Sequence, residues 1–212
     1  MNYCQFRNDF IKRMCNSVKP LLPSEYQQVE YIEGTGTQYI STGTIPAALD
    51  VLFIDFQLTN ITDEDNVVTY IDNGTSQNNA YGFSYSNNRG TEGFVCGWSD
   101  YTTVRRSDYS EHHSIEITNG IFKLDGNVIA TKSGSITFNK PLYVAAWNRN
   151  NTVAICGKVR IYRFTLTGTN SGKLDLIPCY RKADNKPGMY DLVTETFFTN
   201  AGTGEFTVGQ DV

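Results

Sequence analysis

Nowhere in this sequence do apolar residues run together for the roughly 18 positions that a membrane-crossing helix needs, so membrane insertion is not expected. Charge is scarce as well: 19% of the residues are Asp, Glu, Lys or Arg, and the formal net charge is −4. A general nucleic-acid binder carries a basic face, and this balance argues against one. The charge is also uneven. Residues 1–22 hold Arg7, Lys12, Arg13 and Lys19 against Asp9, a net +3, which leaves −7 for the remainder. Histidine occurs twice, as the adjacent pair His112 and His113. Neighbours on a strand point to opposite faces, so these two are not expected to share a metal, and zinc needs three or four ligands. The five cysteines, Cys4, Cys15, Cys96, Cys156 and Cys179, are odd in number and show no C-x-x-C spacing. Reduced thiols are expected, several of them buried in strands. The opening residues are broken by charges and lack the apolar stretch of a secretory signal, which points to synthesis in a cytoplasm.

What the chain has in abundance is aromatic side chains, 13% of the total, with 13 Tyr and 12 Phe. Together with many Thr, Val and Gly and few helix-forming charges, they favour strands. The exception is the start. Tyr3, Phe6, Phe10, Met14 and Val18 recur at spacings of three and four, one stripe of a short amphipathic helix. Pro20 and Pro23 then stop it. Such a helix either lies on the rest of the chain or docks to a partner or to copies of itself. From Tyr26 onward the pattern is strand and turn. In "VLFIDFQL", Leu52, Ile54, Phe56 and Leu58 share one face of a half-buried strand. "FKLDGNVIA" predicts a hairpin, because Asp125-Gly126 suits the positive φ angles of a type I′ turn. A dozen or so short strands without an internal helix predict an all-β fold, a two-sheet sandwich or jelly roll. No internal repeat is present, so residues 23–212 are expected to form one domain behind an N-terminal helix and linker at 1–22.

Paired carboxylates for glycoside cleavage must face one another across roughly 5–10 Å. The densest acidic run, Asp63-Glu64-Asp65, sits in an expected loop without strand spacing, and Glu111 and Glu116 are five apart, on opposite faces of a strand. Catalysis is therefore not expected, and no motif supports a Cys-His nucleophile. "GTGT" at 34–37 and "GTG" at 202–204 lack the Lys-Ser/Thr of a phosphate-binding loop and read as turns. Oxygen ligands for Ca2+ exist in Asp63, Glu64, Asp65 and Asp100, but without a calcium-loop spacing structural acids are the stronger reading, and no cofactor is expected. Asp184 and Asp191, seven apart around a Pro-Gly turn, are expected to fix turns. Binding fits the composition better, since sugar sites need aromatic rings and a few polar groups in a preformed concavity. "CGWSDYTTVRRSDY" offers Trp98, Asp100, Tyr101, Arg105 and Arg106, and "AAWNRNNT" offers Trp147, Asn148, Arg149 and Asn150, both read as loops after strands. Trp98, beside Gly97 and polar residues, is expected to lean to exposure; for Trp147 core and site are equally open. Residues 72–93, rich in Asn, Gly and Tyr, read either as an adaptable recognition surface or as ordinary loops.

Two segments resemble a known family. "LPSEYQQVEYIEGTGTQYISTG", paired with "LIPCYRKADNKPGMYDLVTETFFTNAGTGEF", is similar to the bracketing signature of concanavalin A-like (laminin-G-like) jelly-roll domains encoded by bacteriophages and prophages of gut bacteria. Between them, "EHHSIEITNGIFKLDGNVI" and "GKVRIYRFTLT" are similar to internal strands of that fold. The resemblance covers about residues 22–209. It implies a virion component (tail fibre, receptor-binding or capsid-decoration protein), often lectin-like, with other virion proteins as partners and a homotrimer as the usual assembly. Tyr3, Phe6, Phe10 and Met14 then become candidates for virion docking or oligomerisation. It implies no defined ligand; a host-surface glycan is the expectation, a purely structural decoration or adaptor the alternative, and a polysaccharide depolymerase a weaker one. The closing segment recurs in relatives that need not share a ligand, so it is expected to be a structural seal.

Overall fold

The computed structural model describes residues 22–61, 65–72, 80–87, 92–134, 136–169 and 172–212. The helix expected within residues 1–22, with Tyr3, Phe6, Phe10 and Met14, lies outside them. The strands in chain order are β1 (Tyr26–Gln28), β2 (Ile32–Thr35), β3 (Ile40–Ser41), β4 (Val51–Leu58), β5 (Asn66–Asp72) and β6 (Ala80–Ser86). Next come β7 (Gly93–Val104), β8 (His112–Thr118), β9 (Ile121–Leu124), β10 (Asn127–Thr131), β11 (Tyr143–Val144) and β12 (Ala146–Arg149). The last are β13 (Thr152–Cys156), β14 (Lys158–Thr167), β15 (Gly172–Arg181), β16 (Lys186–Asp191), β17 (Thr196–Thr199) and β18 (Thr207–Val208).

Period-two alternation explains how these strands stack. On β4, Leu52, Ile54, Phe56 and Leu58 are buried while Val51, Phe53, Asp55 and Gln57 are only partly so, as the sequence predicts. β4 lies between β8 and β14 in a sheet ordered β10-β9-β8-β4-β14-β15-β16-β17, and β1, β2 and β18 extend it. On β14 a bulge at Tyr162 interrupts the register against β4, so Val159 and Ile161 before it and Phe164 and Leu166 after it all reach the core. The opposing sheet, β13-β12-β5-β6-β7, presents Tyr81, Phe83, Phe94, Cys96 and Trp98 to the same core. The two layers meet ring to ring: Phe56 of β4 packs edge-on against Phe83 at 5.7 Å and Phe94 at 6.3 Å. The described residues thus form the expected all-β jelly-roll sandwich, with a small β3–β11 pair beside it.

The two segments that carry the family resemblance are strand partners. β1 pairs with β15 and β18 with β2, and Val29 bridges Asp211. Of the first Gly-Thr-Gly, expected as a turn, Gly34 and Thr35 end β2 and Gly36 and Thr37 bend. This bend meets the second, since the Thr203 amide donates to the Thr37 carbonyl at 3.1 Å and the Thr37 hydroxyl donates to the Thr203 carbonyl at 3.0 Å. The closing segment buries both of its faces. Met189 and Phe206 join the main core, while Ile177, Cys179 and Tyr190 form a second cluster with Leu22, against which Tyr26, Leu192 and Phe197 pack. Buried Asp191 ties the turn after β16: it accepts from the Asp175 amide at 2.7 Å, the Val193 amide at 3.1 Å and the Thr194 hydroxyl at 2.7 Å. This segment seals the sandwich. Burial pushes the Cys96 and Cys179 thiols up to about 12, Lys132 opposing it at Cys96 and the Tyr190 backbone at Cys179, so both are inert in the folded chain.

The predicted hairpin forms, with Asp125 and Gly126 at φ 50° and 78° between β9 and β10. Asp125 does more than turn the chain. Its carboxylate accepts from the Ser114 amide at 2.8 Å and meets Nδ1 of His113 at 2.7 Å, while Nε2 of His113 donates to the Asp108 carbonyl at 2.7 Å. His113 faces the interior at 4% exposure and His112 faces outward onto Asp55, the opposite-face arrangement expected of neighbours. The Arg106 hydrogen bond holds the Asp108 carboxyl down at about 2 against the opposing effect of burial. Burial also opposes the shift at Asp125, but the Ser114 amide and His113 together hold that carboxyl below its ordinary value.

Two outcomes follow. Asp191→Ala strands three donors and should lower unfolding free energy in urea by about 3 kcal/mol, whereas Asp184→Ala, at an exposed turn, should leave the midpoint nearly unchanged. Asp108 and Asp125 bind protons less readily folded than unfolded, so their stabilisation is complete above the ordinary carboxylate range near 4. It is lost as pH falls from there toward the depressed Asp108 value of about 2. Arg106→Ala should make that acid loss shallower in urea titrations across the same pH range.

Candidate functional site

The strands that fill the core with alternate residues build a groove with the others. On the far side of the five-stranded sheet, β6 presents Gly82, Ser84 and Ser86, and β7 presents Val95, Gly97, Tyr101 and Thr103. Tyr70 of β5 lies across this face, and bare backbone is what lets it. A Cβ at Gly97 would come within 2.7 Å of the Tyr70 ring. Gly82, at φ +132°, would push one to 2.2 Å from the Thr69 carbonyl. Beside Tyr70, Trp147 of β12 stands edge-to-face at 5.1 Å. The result is a groove of about 190 Å³ with an apolar base of Val67, Tyr70, Val95, Trp147 and Ile155. Hydroxyls from Ser84, Ser86, Tyr101 and Thr103 and the Asp65 carboxylate rim it.

The electrostatics keep these groups in their hydrogen-bonding forms. Burial, and then the neighbouring Asp72, Cys96, Tyr101 and Asp100, push the Tyr70 phenol well above its ordinary value, so it stays protonated. The Trp147 indole N–H is buried and meets no acceptor among the described residues. The Arg149 guanidinium lies 4.0 Å over the Trp147 ring and its Nε is 3.6 Å from the Asp72 carboxylate, which pins the indole and offsets the charge. Lys132 meets Asp100 at 2.5 Å.

The structure relocates several of the residues singled out from sequence. Both stretches read as loops are largely strand: Trp98, Asp100 and Tyr101 lie within β7, and Trp147, Asn148 and Arg149 within β12. Trp98, expected to lean outward, is a core residue at 2% exposure whose indole N–H donates to the Gly134 carbonyl at 3.2 Å. Its Gly97 and polar neighbours belong to the opposite face. Asn148 is buried too, donating to the Pro141 carbonyl at 2.8 Å and accepting from the Asn151 amide at 2.8 Å. Asn150, at φ 53°, and Asn151, at φ 65°, turn the β12–β13 hairpin. Arg105 is exposed beyond the end of β7. Only Trp147 and Tyr101, 43% exposed, line the groove together, with Arg149 behind the indole and Asp100 near Tyr70. Tyr70, Val95, Thr103 and Ile155 were not singled out, while Ser84 and Ser86 fall within the 72–93 stretch read as a recognition surface or ordinary loops and lie on strand β6. The available signal was the small residue opposite each large one: Gly82 and Gly97 in strands otherwise rich in aromatics.

Comparison with protein-family models gives no match, and comparison with curated proteins gives none either. Nine chains among solved structures match the fold. One is "Ruminococcus gnavus IT-sialidase CBM40", similar at 17% identity and a TM-score of 0.48 over 66% of this chain and 90% of that one. That likeness describes overall shape; the chemistry of the groove rests on its own residues.

Cleavage of a glycosidic bond needs two opposed carboxyls, and the groove's described walls carry one, Asp65. Among the described residues no cluster of three or more His, Cys, Asp or Glu is placed to hold a metal ion; Asp63 and Glu64 lie outside them. The two tryptophans should separate cleanly by stability. Trp98→Ala should cost about 3–5 kcal/mol in urea unfolding, the usual penalty for emptying a core ring. Trp147→Ala, on a part-exposed face, should cost clearly less, and equal losses would contradict the assignment of the two indoles.

Proposed function

We propose that this chain is a non-catalytic, carbohydrate-binding component of a phage virion, and that the groove over Tyr70 and Trp147 is its binding site. The observation that carries the reading is the juxtaposition of Trp147, Tyr70 and Tyr101 around a preformed concavity rimmed by hydroxyls and one carboxylate. A pyranose ring presents C–H faces that pack on aromatic rings and hydroxyl edges that need short-range donors and acceptors. The groove offers both, with Asp65 the one charged side chain on its described walls. The virion setting rests on the resemblance of the two end segments, and with it the proposals that residues 1–22 dock the domain to other virion proteins and that it assembles as a homotrimer.

The direct test is binding of the full chain to surface polysaccharide from candidate gut bacteria, read by calorimetry. Trp147→Ala and Tyr101→Ala should each weaken binding by about tenfold or more while the far-ultraviolet circular dichroism stays that of the parent. Absence of binding by folded protein, together with loss of particle incorporation when residues 1–20 are removed, would favour a structural decoration role. New reducing ends on incubation with the polysaccharide would point instead to a depolymerase.

A further inference from the structure

Resting on the carbohydrate-binding reading above, we infer that the groove takes one neutral sugar ring at a time and disfavours acidic sugars. Size supplies the first part. At about 190 Å³ the concavity is smaller than the roughly 300–1,000 Å³ that encloses a drug-sized ligand. It has room for one ring, with the rest of a glycan chain outside.

Charge supplies the second. The one charged side chain on the groove's described walls is a carboxylate, Asp65, whose Oδ1 accepts from the Asn87 amide at 2.8 Å. Asp72 and Asp100, the other acids near Tyr70, are each paired with a cation, so Asp65 sets the sign of the groove. The neighbouring cations do not reverse the sign, because each already faces an acid: Arg149 faces Asp72 at 3.6 Å, and Lys132 faces Asp100 at 2.5 Å. A uronic or sialic carboxylate entering here would meet the like charge of Asp65, and among the described lining residues no cation is turned toward it. A neutral ring meets groups that suit it. The Trp147 and Tyr101 rings offer apolar faces to its C–H groups, and the Asp65 carboxylate accepts hydrogen bonds from its hydroxyls.

The test titrates the full chain by calorimetry with two matched oligosaccharides, one ending in a neutral hexose and one ending in the corresponding uronic acid. Neutral termini should bind about tenfold or more tightly, the scale of a like-charge clash. Raising salt from about 0.01 M to about 1 M shortens the screening length from roughly 30 Å to 3 Å. That change should strengthen binding of the acidic ligand and leave the neutral one nearly unchanged. Asp65→Asn should narrow the preference in the same direction. Tighter binding of the acidic terminus, or a preference indifferent to both salt and Asp65→Asn, overturns the inference and leaves the carbohydrate reading standing. Failure of every oligosaccharide to bind folded protein overturns both.

Discussion

The groove proposed as the binding site depends on the register of β5, β6 and β7. Successive side chains on a strand alternate between faces, so a slip of one residue exchanges the two faces entirely. In the register adopted, Ser84 pairs with Val95 and Gly82 with Gly97, which sends Phe83, Phe94, Cys96 and Trp98 inward. The same pairing sends the small residues outward, where Tyr70 covers them. The core and the groove are therefore one decision made twice, and the large inward rings enforce it. A sheet with Phe83 and Trp98 turned to water would lose several fully buried aromatics at about 1.5–3 kcal/mol for each. The site inherits its rigidity from that penalty.

Closure of the sandwich works by a second, separate device. The segments around β1–β2 and β15–β18 are far apart in sequence and adjacent in space, joined by strand pairing, by the meeting of Thr37 and Thr203 and by a small apolar cluster of their own. Their chemistry is that of packing and turns: Asp191 is spent on three local donors, and Asp184 on Arg181 and the Lys186 amide.

What could be read in the sequence followed from short-range physics. The alternation of β4, the Asp125-Gly126 turn, the opposed histidines and the packing role of the last thirty or so residues each depend on period-two geometry or on a backbone angle that few residues tolerate. The groove was half legible. Trp147 and Tyr101 stood out as rings in polar surroundings, and the structure brings them to one wall. Trp98 stood out for the same reason and lies on the other side of the sheet. Sequence polarity around it reflected the neighbours' face, not its own, and the polar run from Ser99 onward made a continuous strand read as a loop. Tyr70 was hidden differently, because "NVVTYID" shows no period-two alternation and every residue of it is buried. Only the bulge between Val67 and Thr69 and the two glycines across the sheet show which way its ring falls.

The central claim is that sugar enters over Tyr70 and Trp147. Amide hydrogen exchange of the full chain, with and without a saturating neutral oligosaccharide prepared from host-surface polysaccharide, reports on every strand at once. The account predicts added protection confined to β5, β6, β7 and the β12–β13 hairpin, with the β1–β15 and β2–β18 pairings unchanged. Protection centred on the outer face of β4 and β14, around His112 and Tyr162, would place the ligand on the wrong sheet and contradict it.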